Sequence, residues 1–185
     1  MIKNILWKGI ATESLEYCCI NYKNHIQVRS SVVGHHKYLP FKMDYEIELD
    51  PEWTIRSFQI RSSLYNMDQT LSLKHDGYGR WFGEDKEWKN LEGCLDIDIS
   101  VSPFTNTLPV NRLRPAVAES CRINVVYIDI TKFLVSKQQQ LYKRMDKNTY
   151  RFTNDSGDFT ADILMDEDGL VVRYPGLFDR ILIHE

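Results

Sequence analysis

At 185 residues, 43% of them hydrophobic and 26% charged, the chain has the size and make-up of one globular domain, 1–185, and is not expected to be disordered. Its 26 acidic and 23 basic residues leave a net charge of −3 with no long block of either sign, so a nucleic-acid surface is not expected. No stretch approaches the ~20 apolar residues of a membrane span, and Lys8 interrupts the apolar start before it reaches signal-peptide length. The expectation is therefore a cytoplasmic protein with no stable membrane insertion.

Strand-sized segments recur along the chain, separated by turn chemistry. Glu16 to Ile20 and Gln27 to Val33 flank the polar run Asn21-Tyr22-Lys23-Asn24 and read as a hairpin. Adjacent Cys18 and Cys19 then face opposite sides of a strand. With Cys94 and Cys121 they lack any metal-ligand spacing and read as reduced thiols. His35 and His36 likewise diverge on a strand, so no metal site is expected there. Lys42 to Leu49 and Thr54 to Arg61 flank Asp50-Pro51, a break in the ladder. Gln69 to Lys74 leads into His75-Asp76-Gly77-Tyr78-Gly79 and then Arg80-Trp81-Phe82, where Asp-Gly marks a hairpin turn. His75, next to that turn, is expected to be exposed.

The later segments are Cys94 to Val101, Arg122 to Ile130, Tyr150 to Thr153, Phe159 to Met165, Leu170 to Tyr174 and Phe178 to Ile183. Lys132 to Met145 holds good helix formers, including Gln138, Gln139 and Gln140, but reads as a bend followed by a strand from Gln139 to Met145. The fold class implied is all-β and mainly antiparallel. One strongly curved sheet would form an open or incomplete barrel with little helix.

Residues 94–101 alternate cleanly, with Leu95, Ile97, Ile99 and Val101 on one face and Cys94, Asp96, Asp98 and Ser100 on the other. Two acids at this spacing, about 6–7 Å apart, suit a metal site, an acid/base pair or hydrogen bonds to ligand hydroxyls; they equally suit a solvent-facing strand side. A metal is disfavoured because no third local ligand accompanies them. Pro103 and Pro109 bias Ser102 and Leu108 towards extended geometry. Between them Phe104-Thr105-Asn106-Thr107 offers short polar groups, and Arg112 follows. This stretch reads either as the polar rim of a pocket or as turn chemistry.

The run Leu-Asp-Ile-Asp-Ile-Ser-Val-Ser-Pro-Phe-Thr-Asn-Thr-Leu-Pro at 95–109 resembles the signature of the glycolipid-binding family of bacterial proteins. His75 to Trp81, Phe159 to Asp162, Asp168 to Val171 and Tyr174 to Phe178 extend the likeness along the chain. The family's paired basic residues after Leu-Pro are met here by Asn111 and Arg112, one amide and one cation. The resemblance implies a fold like that of bacterial lipoprotein carriers, with an apolar hollow for acyl chains whose mouth is ringed by residues 96–112. It implies non-enzymatic binding of a lipid or glycolipid, with no cofactor, by Asp96, Asp98, Thr105, Asn106, Thr107 and Arg112. Trp81 would stack on a sugar or plug the barrel end. The alternatives are a scaffold or partner-binding β domain, including a homodimer, and an enzyme using Asp96 and Asp98 on a lipid-like or sugar-containing substrate.

Overall fold

A computed structural model describes residues 1–64 and 66–185. Seven strands come first: β1 (Ile2–Gly9), β2 (Ser14–Tyr22), β3 (Ile26–His36), β4 (Leu39–Leu49), β5 (Ile55–Leu64), β6 (Met67–His75) and the short β7 (Trp81–Phe82). Each pairs antiparallel with the next. After β8 (Asp96–Ile99) and the helix α1 (Thr107–Leu113), a second meander runs through β9 (Ser120–Asp129), β10 (Leu134–Arg144), β11 (Thr149–Thr153), β12 (Thr160–Met165), β13 (Val171–Tyr174) and β14 (Phe178–His184). Pairing of β14 with β1 joins the two meanders into one sheet, with β7 and β8 as its edges. The sheet is curled and barrel-like but not closed.

Period-2 alternation drives this arrangement. In β4, for example, Phe41, Met43, Tyr45, Ile47 and Leu49 are buried while Lys42 and Glu46 are exposed. The one parallel pair among the described residues is β8 on β9, and parallel pairing demands a long crossover. Residues 100–119, containing α1, make that crossover. Its Val101, Phe104 and Leu108, with Ile97 and Ile99 of β8, pack with Ile5, Trp7, Ile20, Met43, Tyr45 and Ile60 in one apolar core. The expected acyl-chain hollow in this half is filled by the chain's own side chains. A second apolar cluster lies on β9–β14 and includes Val125, Tyr142, Phe152, Ile163, Tyr174 and Phe178.

The two sheet edges approach one another at paired glycines. Gly93 N–H donates to the Gly79 carbonyl at 2.8 Å, and a Cβ on Gly79 would sit 2.9 Å from Gly93 Cα. With φ at +98°, Gly79 also occupies the left-handed half of backbone space.

Several sequence expectations need correction. The helix at 107–113 lies where none was expected, while 132–145 is turn and strand, as expected. Pro109 is accommodated because it falls in the first turn, where backbone N–H groups have no helical acceptor. Leu108 is accordingly helical, not extended. Residues 134–144 form one continuous strand, longer than the 139–145 segment expected. His75 is buried: its ring stacks on Trp81 at 4.3 Å, Nδ1–H donates to the Ile55 carbonyl at 2.8 Å, and Nε2 accepts the Gly79 N–H at 3.0 Å. Burial pushes its pKa down.

Glu16 ties the crossover to the first meander. It is buried, and its Oε1 accepts from Ser30 Oγ (2.8 Å), Tyr45 Oη (2.7 Å) and Ser102 Oγ (2.8 Å), whereas Oε2 has no partner. Desolvation outweighs these hydrogen bonds and pushes the carboxyl up to about 7. The folded state then holds this proton more tightly than the unfolded chain does. The associated stability is full below the ordinary carboxyl pKa and is lost as pH rises through 7. Its size is about 3 kcal/mol, from a shift of roughly two and a half units. Chemical denaturation of wild type and E16Q across pH 5–8 tests this. The wild type should lose stability with rising pH relative to E16Q, and parallel profiles would refute the assignment.

Candidate functional site

Because β8 is parallel to β9, its two faces have different neighbours. Ile97 and Ile99 turn to the first core, while Asp96 and Asp98 lie in register with Val125 and Tyr127 of β9. Antiparallel pairing places Gln138 of β10 opposite Val125 and Gln140 opposite Ile123. Tyr142 pairs with Phe152 of β11, and Tyr174 of β13 with Phe178 of β14. One sheet face thus passes from acid to amide to aromatic.

A cleft of about 440 Å³ opens on that face. Asp98, Ser100, Asn106, Tyr127, Gln138 and Gln140 supply its polar wall, and Phe152, Phe159, Tyr174, Leu177 and Phe178 its apolar wall. The centroids of Phe152, Phe159 and Tyr174 lie 6.1–6.3 Å apart, and Phe178 is 6.2 Å from Tyr174. The loop before β12 is wound by its own side chains: Asn154 Nδ2 donates to Asp158 at 2.8 Å, and Asn154 Oδ1 accepts the Phe159 N–H at 3.1 Å. That winding presents the partly exposed Phe159 ring to the cleft.

Asp98 Oδ2 accepts from Gln140 Nε2 at 2.6 Å, and Oδ1 accepts from Thr105 Oγ1 at 3.3 Å. Burial raises its pKa, and those two hydrogen bonds only partly oppose the shift. Burial, with the nearby Asp98 charge, pushes the Tyr127 phenol up to about 12 and raises Tyr142 and Tyr174 as well. All three therefore keep their hydroxyl protons near neutrality. Gln140 is 3% exposed, and its Oε1 has no hydrogen-bond partner.

The expected site residues separate into two groups. Asp98 and Asn106 line the cleft; Asn106 Nδ2 also donates to Tyr142 Oη at 2.9 Å. The other five are held by the fold. Asp96 is 0% exposed and takes a bidentate pair from Arg112, Nε to Oδ1 at 3.1 Å and Nη2 to Oδ2 at 2.6 Å. Thr105 Oγ1 accepts the Ile99 N–H at 3.1 Å, and Thr107 is buried in the first turn of α1. Trp81 is fully buried, with Nε1–H donating to the Cys94 carbonyl at 2.9 Å, so of its two expected roles the packing one fits. Sequence reading missed Tyr127, Gln138, Gln140, Phe152, Tyr174 and Phe178. The alternation of Gln138 with Gln140 along a strand is the signal in the sequence that marks these two amides.

A larger cleft of about 490 Å³ lies elsewhere, lined by Tyr22, Trp53, Arg144, Lys147 and Glu167 among others. Its charges satisfy one another or nearby carbonyls. Lys147 pairs with Glu167 at 2.8 Å, and Arg144 donates to the Pro115 and Lys147 carbonyls at 3.0 and 2.8 Å. Asn111 donates to the Asp168 carbonyl at 2.9 Å.

The Asp96–Arg112 pair anchors α1 to β8. Truncating one partner strands a buried charge, at a cost of about 3–5 kcal/mol, whereas replacing both with apolar groups costs far less. In urea denaturation R112M should therefore be less stable than the double variant D96L/R112M. Equal stability of the single variant and wild type would contradict the pairing.

Among the described residues no helix is long and apolar enough to cross a membrane. No curated protein matches this sequence. The crystal structure of a DUF1089 family protein from Pseudomonas aeruginosa is similar, with a TM-score of 0.83 and 34% sequence identity over 90% of this chain and 92% of that one. A family described as "Putative glycolipid-binding" matches residues 4–180, nearly the whole chain, and it is to this family that the protein belongs.

Proposed function

We propose that the cleft bounded by Asp98, Gln140 and the Phe152–Phe159–Tyr174 rings binds the sugar headgroup of a glycolipid without transforming it. One juxtaposition carries this reading: a hydrogen-bonding wall faces an aromatic wall across a space of about 440 Å³, within the usual range for small-molecule sites. Sugars present hydroxyls around the ring edge and C–H groups on its faces. Carboxylate, amide and phenol groups match the former, and aromatic rings match the latter. The exposed edge of Phe159 and the partly buried Leu177 would carry the start of the acyl part out of the cleft.

Binding is favoured over catalysis by the number of free acids. Glycoside cleavage commonly uses two carboxyl groups flanking the bond, and Asp98 is the one carboxyl lining the cleft among the described residues. Asp96, the second acid of the strand, is engaged by Arg112.

Native mass spectrometry of purified protein, followed by solvent extraction, should recover a sugar-bearing lipid. Phe159→Ala removes a partly exposed ring and should weaken glycolipid binding about 3- to 10-fold, with little change in melting temperature. Gln138→Ala should act in the same direction. Empty protein, together with a melting temperature that no glycolipid raises, would overturn the reading.

A further inference from the structure

We propose that the bound headgroup is an amino sugar whose protonated amine sits against Asp98 and Gln140. This rests on the sugar-binding reading above and narrows it to one ligand class.

The first observation is a charge imbalance. No Lys, Arg or His lines the cleft among the described residues. Asp96 has Arg112 at 2.6 Å, Asp50 has Arg56 at 2.7 Å, and Asp129 has Lys132 at 3.3 Å; the buried Glu16 has only neutral donors, as Asp98 does, but of these two Asp98 is the one that lines this cleft. Asp98 receives only neutral donors, Gln140 Nε2 and Thr105 Oγ1. A carboxylate solvated this way gains most from a ligand that brings a positive charge.

The second observation is independent of charge. Gln140 turns its Nε2 to Asp98, which leaves Oε1 as a buried acceptor with no donor. An unmet buried acceptor is costly, so the site is preorganised for a donor. An ammonium offers three N–H groups and no acceptor. One can meet Asp98 and another Gln140 Oε1, in a cleft that the Tyr174 and Phe152 rings also line. A quaternary ammonium would use the rings but leave Gln140 unmet. A phosphate or carboxylate would stand beside Asp98 with no cation to shield it.

Isothermal calorimetry with octyl glycosides of glucosamine, N-acetylglucosamine, glucose and glucose 6-phosphate tests this, at about pH 6 so that the amine is protonated. The amine glycoside should bind about tenfold or more tightly than the glucose and N-acetyl compounds, since a charge-assisted hydrogen bond exceeds a neutral one by roughly that factor. The phosphorylated glycoside should bind most weakly. In D98N the ratio between amine and glucose glycosides should collapse towards one. Equal binding of amine, acetylated and plain glycosides by the wild type overturns this inference while leaving the sugar-binding reading intact. A preference that survives D98N overturns the role of Asp98. If no glycoside binds, the parent reading falls and this one with it. The acetylated compound makes the comparison on unaltered protein, so a folding defect in D98N does not blunt the test.

Discussion

Strand β8 is buried on both faces, and most of the architecture answers to that constraint. A strand covered on both sides is usually apolar throughout, yet here aspartates alternate with isoleucines. The isoleucine face completes the core beneath the first meander. The aspartate face must then be satisfied inside the protein, because an unpaired buried acid is costly. Two solutions stand two residues apart. Asp96 is neutralised by Arg112, which fixes α1 against the strand. Asp98 is met by uncharged donors and remains at the edge of a cleft.

Parallel pairing of β8 with β9 makes the second solution possible. It sets Asp98 beside Tyr127, and the β9–β10 register brings Gln138 and Gln140 into the same neighbourhood. Glu16 gathers Ser30, Tyr45 and Ser102 onto one oxygen, and Asn106 of the same crossover donates to Tyr142 of β10. The crossover is thereby tied to both meanders, so the cleft sits on a braced segment and not on a free loop.

Much of the fold was legible because most strands of the meanders have one face inward and one outward. Alternation in residues 42–49 and turn chemistry at Asp76-Gly77 needed no tertiary knowledge. What was hidden depended on long-range pairing. Leu95 to Val101 shows its alternation plainly, but nothing local says that both faces are covered. Pro109 biases Leu108 towards extended geometry in the isolated sequence, and only the crossover places it in the first turn of a helix. Strand at Gln139 and Gln140 was legible despite their helix propensity, but only the β9–β10 register brings Gln138 and Gln140 to one cleft. His75 and Trp81 looked like turn neighbours, although the glycine contact at 79 and 93 draws both indoors. Of the candidate site, Asp98 and Asn106 were visible in sequence. The aromatic wall, contributed by β11, β13 and β14 and the loop before β12, was not.

The central claim is that a polar wall on β8–β10 and an aromatic wall on β11–β14 act together on one ligand. Side-chain amide NMR measures this directly, because Asn106, Gln138, Gln140 and Asn154 all line the same cleft. Titration with a short-chain glycoside should shift these four amide signals together, in step with the ring protons of Phe159. Shifts confined to Asn111 and Asn148, which line the larger cleft, would contradict the account.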